Sequence, residues 1–200
     1  MKRLNNNGFT LVELLATVSI MAILMIIAVP NILNTVDKNK RNTYIEDARK
    51  LVLLAEHKFQ FMTDHKPEIT DTKASKCVGI IFNNLVKESE INKGPEGGDY
   101  NTISTTSTNP GSYSYVIISY DEVNKKYSYA VQLVETYKTK SGTTSQRGIS
   151  LIKDSSDLIK ENVVNDYIKN NKKHTFIASS NTTEIKKITG CSTIYMDTAN

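Results

Sequence analysis

The feature that most constrains this chain is an apolar run near its amino terminus. Residues 9–29 read FTLVELLATVSIMAILMIIAV and contain 17 apolar residues out of 21, although the whole chain is only 39% apolar. A helix of about 20 residues spans the hydrocarbon core of a bilayer. The run is too long for the apolar region of a secretory signal peptide, and no small-x-small cleavage site follows it. It also lacks the polar stripe of a core helix. We therefore predict a membrane-spanning helix.

Charge and hydropathy exclude two broad classes of protein. The 200-residue chain has 25 basic and 21 acidic residues, a net charge of +4, and a mean hydropathy of −0.34. That hydropathy rules out a polytopic membrane protein. A charge excess this small does not predict a nucleic-acid-binding surface, which needs clustered Lys and Arg. We expect one membrane helix joined to a polar body that does not bind nucleic acid.

Glu13 is the only charged residue within the apolar run. A carboxylate at the centre of a membrane helix costs about 2.5–3.5 kcal/mol on insertion scales, and such residues are usually functional. The alternative is that Glu13 lies near the helix end and reaches the lipid headgroups. The residues that precede Glu13 favour a functional role.

The segment Gly8-Phe9-Thr10-Leu11-Val12-Glu13 resembles the signature of type IV prepilins. In that signature a short basic leader ends in Gly, a Phe opens the apolar run, and a Glu is the fifth residue after the cut. The resemblance implies that residues 1–8 are a leader removed after Gly8 by a prepilin peptidase, and that Phe9 becomes an N-methylated amino terminus. It also implies that Glu13 pairs with the Phe9 amine of a neighbouring subunit during assembly. Such a pair would offset the cost of two charges in an apolar medium.

Pro30 follows the apolar run and allows two interpretations. An interior proline removes one helical hydrogen bond, so Pro30 either ends the helix or, as the resemblance implies, kinks or locally melts a helix that continues. Apolar residues recur beyond it at spacings near three and four, with charged residues such as Asp47 on the opposite face. We therefore predict a membrane-embedded half over residues 9–30, a kink at Pro30 and an amphipathic half over residues 31–62. The predicted buried face comprises Ile32, Leu33, Val36, Tyr44, Ala48, Leu51, Val52, Ala55, Phe59 and Met62.

The polar body, residues 63–200, has the patterns of an α+β domain. Residues 63–112 are predicted to connect the long helix to a sheet and carboxy-terminal region over residues 113–200. Period-two patterns and turn residues predict strands, and a Ser/Asp cap signal precedes a helical pattern. We predict helices over 76–89 and 155–170 and strands near 113–120, 126–133, 147–152, 174–178 and 193–196. A long helix packed on a three- or four-stranded antiparallel sheet is also the pilin fold that the resemblance implies.

Tyrosine and cysteine are the residue types of the body that call for interpretation. Ten tyrosines, several of them on predicted strands, are interpreted as strand formers in cross-strand pairs rather than as a ligand-binding surface. Cys77 and Cys191 are the only cysteines. They form either a disulfide or two buried thiols, and the oxidising exterior implied for the head favours the disulfide.

No pattern in the sequence predicts catalysis, a metal site or a cofactor. His57, His65 and His174 lie apart and show no metal-ligand or dyad spacing with each other or with a cysteine. The glycine-rich stretch GPEGG at residues 94–98 lacks the strand–turn–helix context and the Lys of a phosphate-binding loop. We expect a structural protein rather than an enzyme.

These observations favour a structural subunit of a type IV pilus-like surface filament with a role in adhesion or motility. The implied partners are copies of itself and other pilins, a prepilin peptidase, an inner-membrane assembly platform and, before assembly, cytoplasmic-membrane lipid. The implied precursor crosses the cytoplasmic membrane once with its amino terminus inside, and the mature chain joins an extracellular filament. Three alternatives remain open: a pseudopilin of a type II secretion or competence DNA-uptake system, a signal-anchored extracellular binding protein that does not polymerise, and a membrane-anchored surface enzyme.

Overall fold

The computed structural model describes residues 10–63, 76–86, 91, 93–100, 111–121, 124–165 and 176–197. The chain divides into two compact units, Met1–Asn39 and Lys40–Asn200. Helix α1 runs without interruption over Leu11–Phe61, so it starts in the first unit and ends in the second. The interpretation in which Pro30 ends the helix is therefore wrong.

In the second unit, α1 buries one face against a sheet. The prediction of that face is confirmed for the residues from Tyr44 to Phe59, which are buried at spacings of three and four. Ile32, Leu33 and Val36 were predicted on the same face, but they are exposed. They belong to the first unit, where α1 is the only element among the described residues. Asp47 was predicted on the charged face, and that is also wrong, because it is buried.

Six strands form one mixed sheet in the order β5-β4-β3-β2-β1-β6. Neighbouring strands are antiparallel except β1 and β6, which are parallel. The expected antiparallel sheet of three or four strands is thus corrected to a mixed sheet of six. The α+β class is confirmed, and a long amino-terminal helix followed by a sheet matches the pilin fold. The strands are β1 Lys76–Ile81, β2 Tyr115–Asp121, β3 Lys126–Lys138, β4 Thr144–Ile152, β5 Val163–Asn165 and β6 Thr193–Asp197.

Both faces of the sheet are covered. Alternation along β2 places Val116 and Ile118 in the cluster that contains α1, and Tyr115 and Ile117 in a second cluster on the other face. Ile185 of helix α3, Thr182–Thr189, belongs to that second cluster. The central strands are therefore buried on both sides.

The prediction of one helix over residues 76–89 is wrong. Residues 76–81 form strand β1, and residues 82–86 form the short helix α2, Phe82–Val86, while residues 87–90 lie outside the described part. Strand β1 is buried along most of its length. A strand buried on both faces has no alternating polar residues, so its sequence does not differ from that of a buried helix.

The helix predicted over residues 155–170 is also wrong as far as the structure describes it. Residues 155–165 form two 3₁₀ turns, Ser155–Asp157 and Lys160–Asn162, followed by β5. Asp154 Oδ1 accepts a hydrogen bond from Ser156 N, and Asn162 Oδ1 accepts one from Ile159 N. These local side-chain bonds compete with helix formation.

Near the carboxy terminus one prediction is confirmed and another is wrong. The strand near residues 193–196 is present as β6. Residues 176–178 of the strand predicted over 174–178 are not in a strand, and residues 174–175 lie outside the described part. Helix α3 was not predicted, although Asn181 caps its start and Gly190, at φ +78°, closes its end.

Candidate functional site

The first half of α1 presents apolar side chains on all sides. An 18-residue window of this helix has a mean hydropathy of 2.6 and no buried residue, so by length and composition it can cross a membrane. Sixteen large apolar side chains between residues 11 and 36 are 44–80% exposed. They are Leu11, Val12, Leu14, Leu15, Val18, Ile20, Met21, Ile23, Leu24, Met25, Ile26, Ile27, Val29, Ile32, Leu33 and Val36.

The hydroxyl groups within this apolar surface are satisfied by the helix itself. Thr17 Oγ1 donates to the Leu14 carbonyl and Ser19 Oγ to the Leu15 carbonyl, each at 2.8 Å. In hydrocarbon, where water cannot supply partners, such bonds lower the cost of burying a polar group. Both side chains therefore suit either a bilayer or a bundle of apolar helices.

Glu13 forms a capping box with Thr10 at the amino-terminal end of α1. Glu13 Oε2 accepts hydrogen bonds from Thr10 N and Thr10 Oγ1, each at 2.9 Å. Glu13 N donates in return to Thr10 Oγ1 at 3.3 Å. Both bonds to the carboxylate fall on Oε2, and no hydrogen bond to Oε1 occurs among the described residues. The carboxylate is thus held at the helix end with one oxygen left for another donor.

The predicted cleavage residues, Gly8 and Phe9, lie outside the described residues. Pro30 lies inside α1, and the next residue, Asn31, donates from Nδ2 to the Ile27 carbonyl at 3.1 Å. The kink at Pro30 stays a prediction.

In the head, the glycine-rich stretch at residues 94–98 surrounds a carboxylate of the same chain. Glu135 of β3 is fully buried, and its two oxygens accept hydrogen bonds from Gly98 N at 2.6 Å and Glu96 N at 3.1 Å. A Cβ at Gly94 would lie 2.1 Å from Glu135 Oε2, so only glycine fits there. Successive backbone N–H groups of this kind form an anion-binding nest. Here Glu135 is the anion, so the stretch is not a phosphate site.

Helix α1 contributes a buried tyrosine to the same carboxylate. Tyr44 is fully buried, and its hydroxyl donates to Glu135 Oε2 at 2.5 Å. Burial and this hydrogen bond raise the pKa of Tyr44 well above its ordinary value. Tyr100 similarly donates to Asp47 Oδ2 at 2.8 Å, and burial and the Asp47 carboxylate raise its pKa. These contacts explain why Asp47 faces inward.

Glu96 ties the glycine-rich stretch to two cations. Its carboxylate pairs with Lys40 of α1 and with Arg147 of β4, each at 2.5 Å. The Arg147 guanidinium also lies 5.8 Å from the centre of the Tyr44 ring. Helix, loop and sheet are thereby connected by one partly buried polar cluster. No sequence pattern predicts this cluster, because its members are far apart in the chain.

Cys77 and Cys191 form a disulfide with their Cα atoms 6.0 Å apart, within the usual range for such bonds. Cys77 is on β1, and Cys191 lies between α3 and β6, so the bond fastens the carboxy-terminal region to the strand next to the sheet edge. Among the tyrosines, Tyr120 and Tyr127 face each other on β2 and β3 with ring centres 5.4 Å apart, which agrees with cross-strand pairing.

The described part of the chain contains no group of three or more His, Cys, Asp and Glu side chains that could hold a metal ion. His57 contacts the Phe61 ring, and His65 and His174 lie outside the described residues.

The comparison with protein families identifies one segment. Residues 3–29 match the family model described as the prokaryotic N-terminal methylation motif. This match is consistent with the class III signal of type IV pilins and pseudopilins, so it confirms the resemblance of the amino-terminal segment. Proteins with this motif are structural. The motif and the apolar helix together support a membrane-anchored precursor of the pilin or pseudopilin kind. No curated protein and no solved structure matches the chain.

Proposed function

We propose that this chain is a structural subunit of a type IV pilus-like surface filament, assembled through its amino-terminal helix. The observation that carries the proposal is that a methylation motif at residues 3–29 coincides with a helix whose apolar side chains are exposed. An apolar surface of this extent is excluded from water only by lipid or by other apolar helices. The same surface therefore serves as a membrane anchor before assembly and as a contact between copies afterwards.

Cleavage after Gly8 by a prepilin peptidase prepares the helix for assembly. It releases a protonated amine at Phe9, which is then N-methylated. In an apolar surrounding this amine and the Glu13 carboxylate each need a partner of opposite charge. Glu13 Oε2 is held by Thr10, and Oε1 can accept the Phe9 amine of a neighbouring copy. A bond that is satisfied only between copies draws them together and sets their axial register.

The location follows from this order of events. The precursor lies in the cytoplasmic membrane with its amino terminus on the inner side, where the peptidase acts, and its head outside. An inner-membrane platform then moves the subunit into a filament that serves adhesion or motility. The disulfide between Cys77 and Cys191 is suited to an oxidising exterior.

Three variants of the full-length chain test the proposal in the cells of origin. We expect Gly8→Ala to leave the leader attached, because a Cβ obstructs the peptidase, and Glu13→Val to be cleaved but to form few filaments. Thr17→Val is the control, since the Thr17 hydroxyl donates to the Leu14 carbonyl of its own helix. Gel mobility reports cleavage, and electron microscopy counts filaments. Normal filaments from Glu13→Val would refute the pairing.

The length of the labelled structures separates a pilus from a pseudopilus. Immunogold labelling of unmodified cells should show long surface filaments that contain the chain. Short assemblies confined to the envelope would instead identify a pseudopilin of a secretion or DNA-uptake system. An uncut chain without any assembly would identify an anchored binding protein.

A further inference from the structure

The end of α1 carries a narrow apolar ridge, formed by Leu53, His57 and Phe61. Leu53 is 63% exposed and Phe61 is 73% exposed, although this half of the helix is otherwise polar outside its buried face. The His57 and Phe61 rings lie 4.9 Å apart, centre to centre. Residues four apart form one line on a helix surface. Exposed aromatic side chains in such a line are typical of a contact site rather than of a solvated face.

A groove lies beside α1 at another position. It runs between the Asn42–Arg49 part of α1 and residues 158–161, and its volume is about 400 Å³. Ile45 and Leu158 are buried at its base, and Ile159 is 54% exposed. An engineered apolar cavity of about 150 Å³ holds benzene, so the groove has room for an aromatic side chain.

The groove is fixed in place before anything binds. Arg41 Nη1 donates to the carbonyls of Lys160 and Val163, at 3.1 and 2.9 Å, and so attaches the far wall to α1. Glu46, Arg49, Lys160 and Glu161 surround the apolar base with charges of both signs. An apolar centre with a polar rim is the usual anatomy of a protein–protein interface.

The ridge and the groove of one copy cannot meet each other. The α1 residues of the ridge are centred on His57, and those of the groove lie between Asn42 and Arg49. At 3.6 residues per turn and 1.5 Å per residue, these two centres are roughly 70° apart around the helix and about 17 Å apart along it. A contact between them therefore joins two copies, and it leaves the groove of one copy and the ridge of the other free for further partners. Such a head-to-tail contact forms a ring or, if successive copies are also displaced along the axis, an open helical filament.

We propose that the ridge of one copy docks into the groove of the next copy, so that the heads are joined as well as the apolar helices. This inference rests on the proposed function, because assembly through α1 brings second copies alongside this helix. The segment that follows the ridge in the sequence, residues 64–75, reads DHKPEITDTKAS and has a single large apolar residue, Ile69. Its composition is poorly suited to an aromatic ridge, whereas the groove is apolar at its base.

Cysteine cross-linking of the full-length chain in surface filaments tests the docking directly. With Phe61→Cys and Ile159→Cys in the same chain, sheared filaments should give a ladder of covalent multimers on a non-reducing gel. The matched control combines Phe61→Cys with Ile188→Cys, because Ile188 is partly exposed on α3 and belongs to neither patch. The control should give no ladder. Filaments without a ladder from the first pair would overturn the docking and leave the proposed function standing. If the unmodified chain forms no filaments, both proposals fail.

Charge variants keep the test decisive if cysteines impair folding. Phe61→Lys or Ile159→Glu alone should lower the filament count about tenfold, the effect of losing one apolar anchor. The two changes together should restore most of it, because the new charges are opposite and adjacent. Failure of the double variant to recover would contradict the docking. A single variant that instead lowers the melting temperature of the unassembled precursor, with no ladder from the cysteine pair, would show that the chain covers its own patch and would also overturn the inference.

Discussion

Removal of one buried hydroxyl group, by Tyr44→Phe, tests the polar cluster that holds α1 to the sheet. Among the described residues, the Tyr44 hydroxyl is one of three donors to Glu135, with Glu96 N and Gly98 N. Phenylalanine keeps the ring and its packing, so the variant removes a hydrogen bond without creating a cavity. Glu135 Oε2 then keeps only the longer bond from Glu96 N.

The expected loss follows from the charge on the acceptor and from its burial. A hydrogen bond to a charged group contributes about 1.5–3 kcal/mol, so we expect Tyr44→Phe to lower the free energy of unfolding by about 2 kcal/mol. Tyr115→Phe is the matched control. Tyr115 is equally buried, but its hydroxyl has no hydrogen-bond partner in the part of the chain that the structure describes. Its removal should be neutral or should raise stability, because an unpaired buried hydroxyl costs free energy.

Calorimetry of the full-length chain in mild detergent measures both effects. For a domain of this size, 1 kcal/mol shifts the melting temperature by about 2–4 °C, so Tyr44→Phe should lower it by roughly 4–8 °C. Tyr115→Phe should leave it unchanged or raise it slightly. Equal losses in the two variants would refute the reasoning, because ring substitution itself would then be the cause.

Three further results are expected. Replacing Cys77 and Cys191 by Ser should lower the free energy of unfolding by about 4–5 kcal/mol in the chain-entropy model, since the disulfide closes a loop of 114 residues. Calorimetry measures this loss, and an unchanged melting temperature would contradict the presence of the bond in the native protein. Gly94→Ala should cost more than about 2 kcal/mol because its Cβ displaces the buried carboxylate, whereas Gly142→Ala, at φ +82° in open space, should cost only about 1 kcal/mol in the same assay. Burial, and then the nearby Glu56 carboxylate, raise the pKa of Tyr129 to about 12, whereas a tyrosine in an unfolded chain has a pKa near 10. The neutral phenol of Tyr129 therefore contributes its full stability below about pH 10, and this contribution is lost as the pH rises through 12. Part of the phenolate absorbance should therefore appear at a higher pH than that of free tyrosine. A single titration of all tyrosines near pH 10 would contradict this.

Elements with a clear hydrophobic period could be predicted from the sequence, whereas elements buried on both sides could not. The apolar run was predicted from its length. The buried face of α1 was predicted from Tyr44 to Phe59, except for Asp47, because a helix packed on one side has a 3.6-residue pattern. Strand β1 was mistaken for a helix, because α1 covers one face of the sheet and α3 contributes to the cover of the other. The same double burial conceals Glu135, which lies in a strand that is buried on both faces from residue 130 to residue 135.

The candidate site was predictable only where its residues are neighbours in the chain. Glu13 was singled out because it lies at a fixed spacing within a short motif. Thr10 was not, although a Thr three residues before a Glu at a helix start is a capping-box signal. The burial of the Asp47 side chain depends on a hydrogen bond from Tyr100, which is 53 residues away in the chain. The ridge and the groove likewise depend on residues that only the fold brings to one surface.

The most direct test of the proposed function is the mass of the chain within filaments sheared from the cell surface. Intact-mass and fragment spectra should show a chain that begins at Phe9, carries one added methyl group on that amine and has lost residues 1–8. Glu13→Val should reduce the yield of such filaments without changing the mass of the cleaved chain. A surface chain that still begins at Met1, or filaments that lack the chain altogether, would contradict the account.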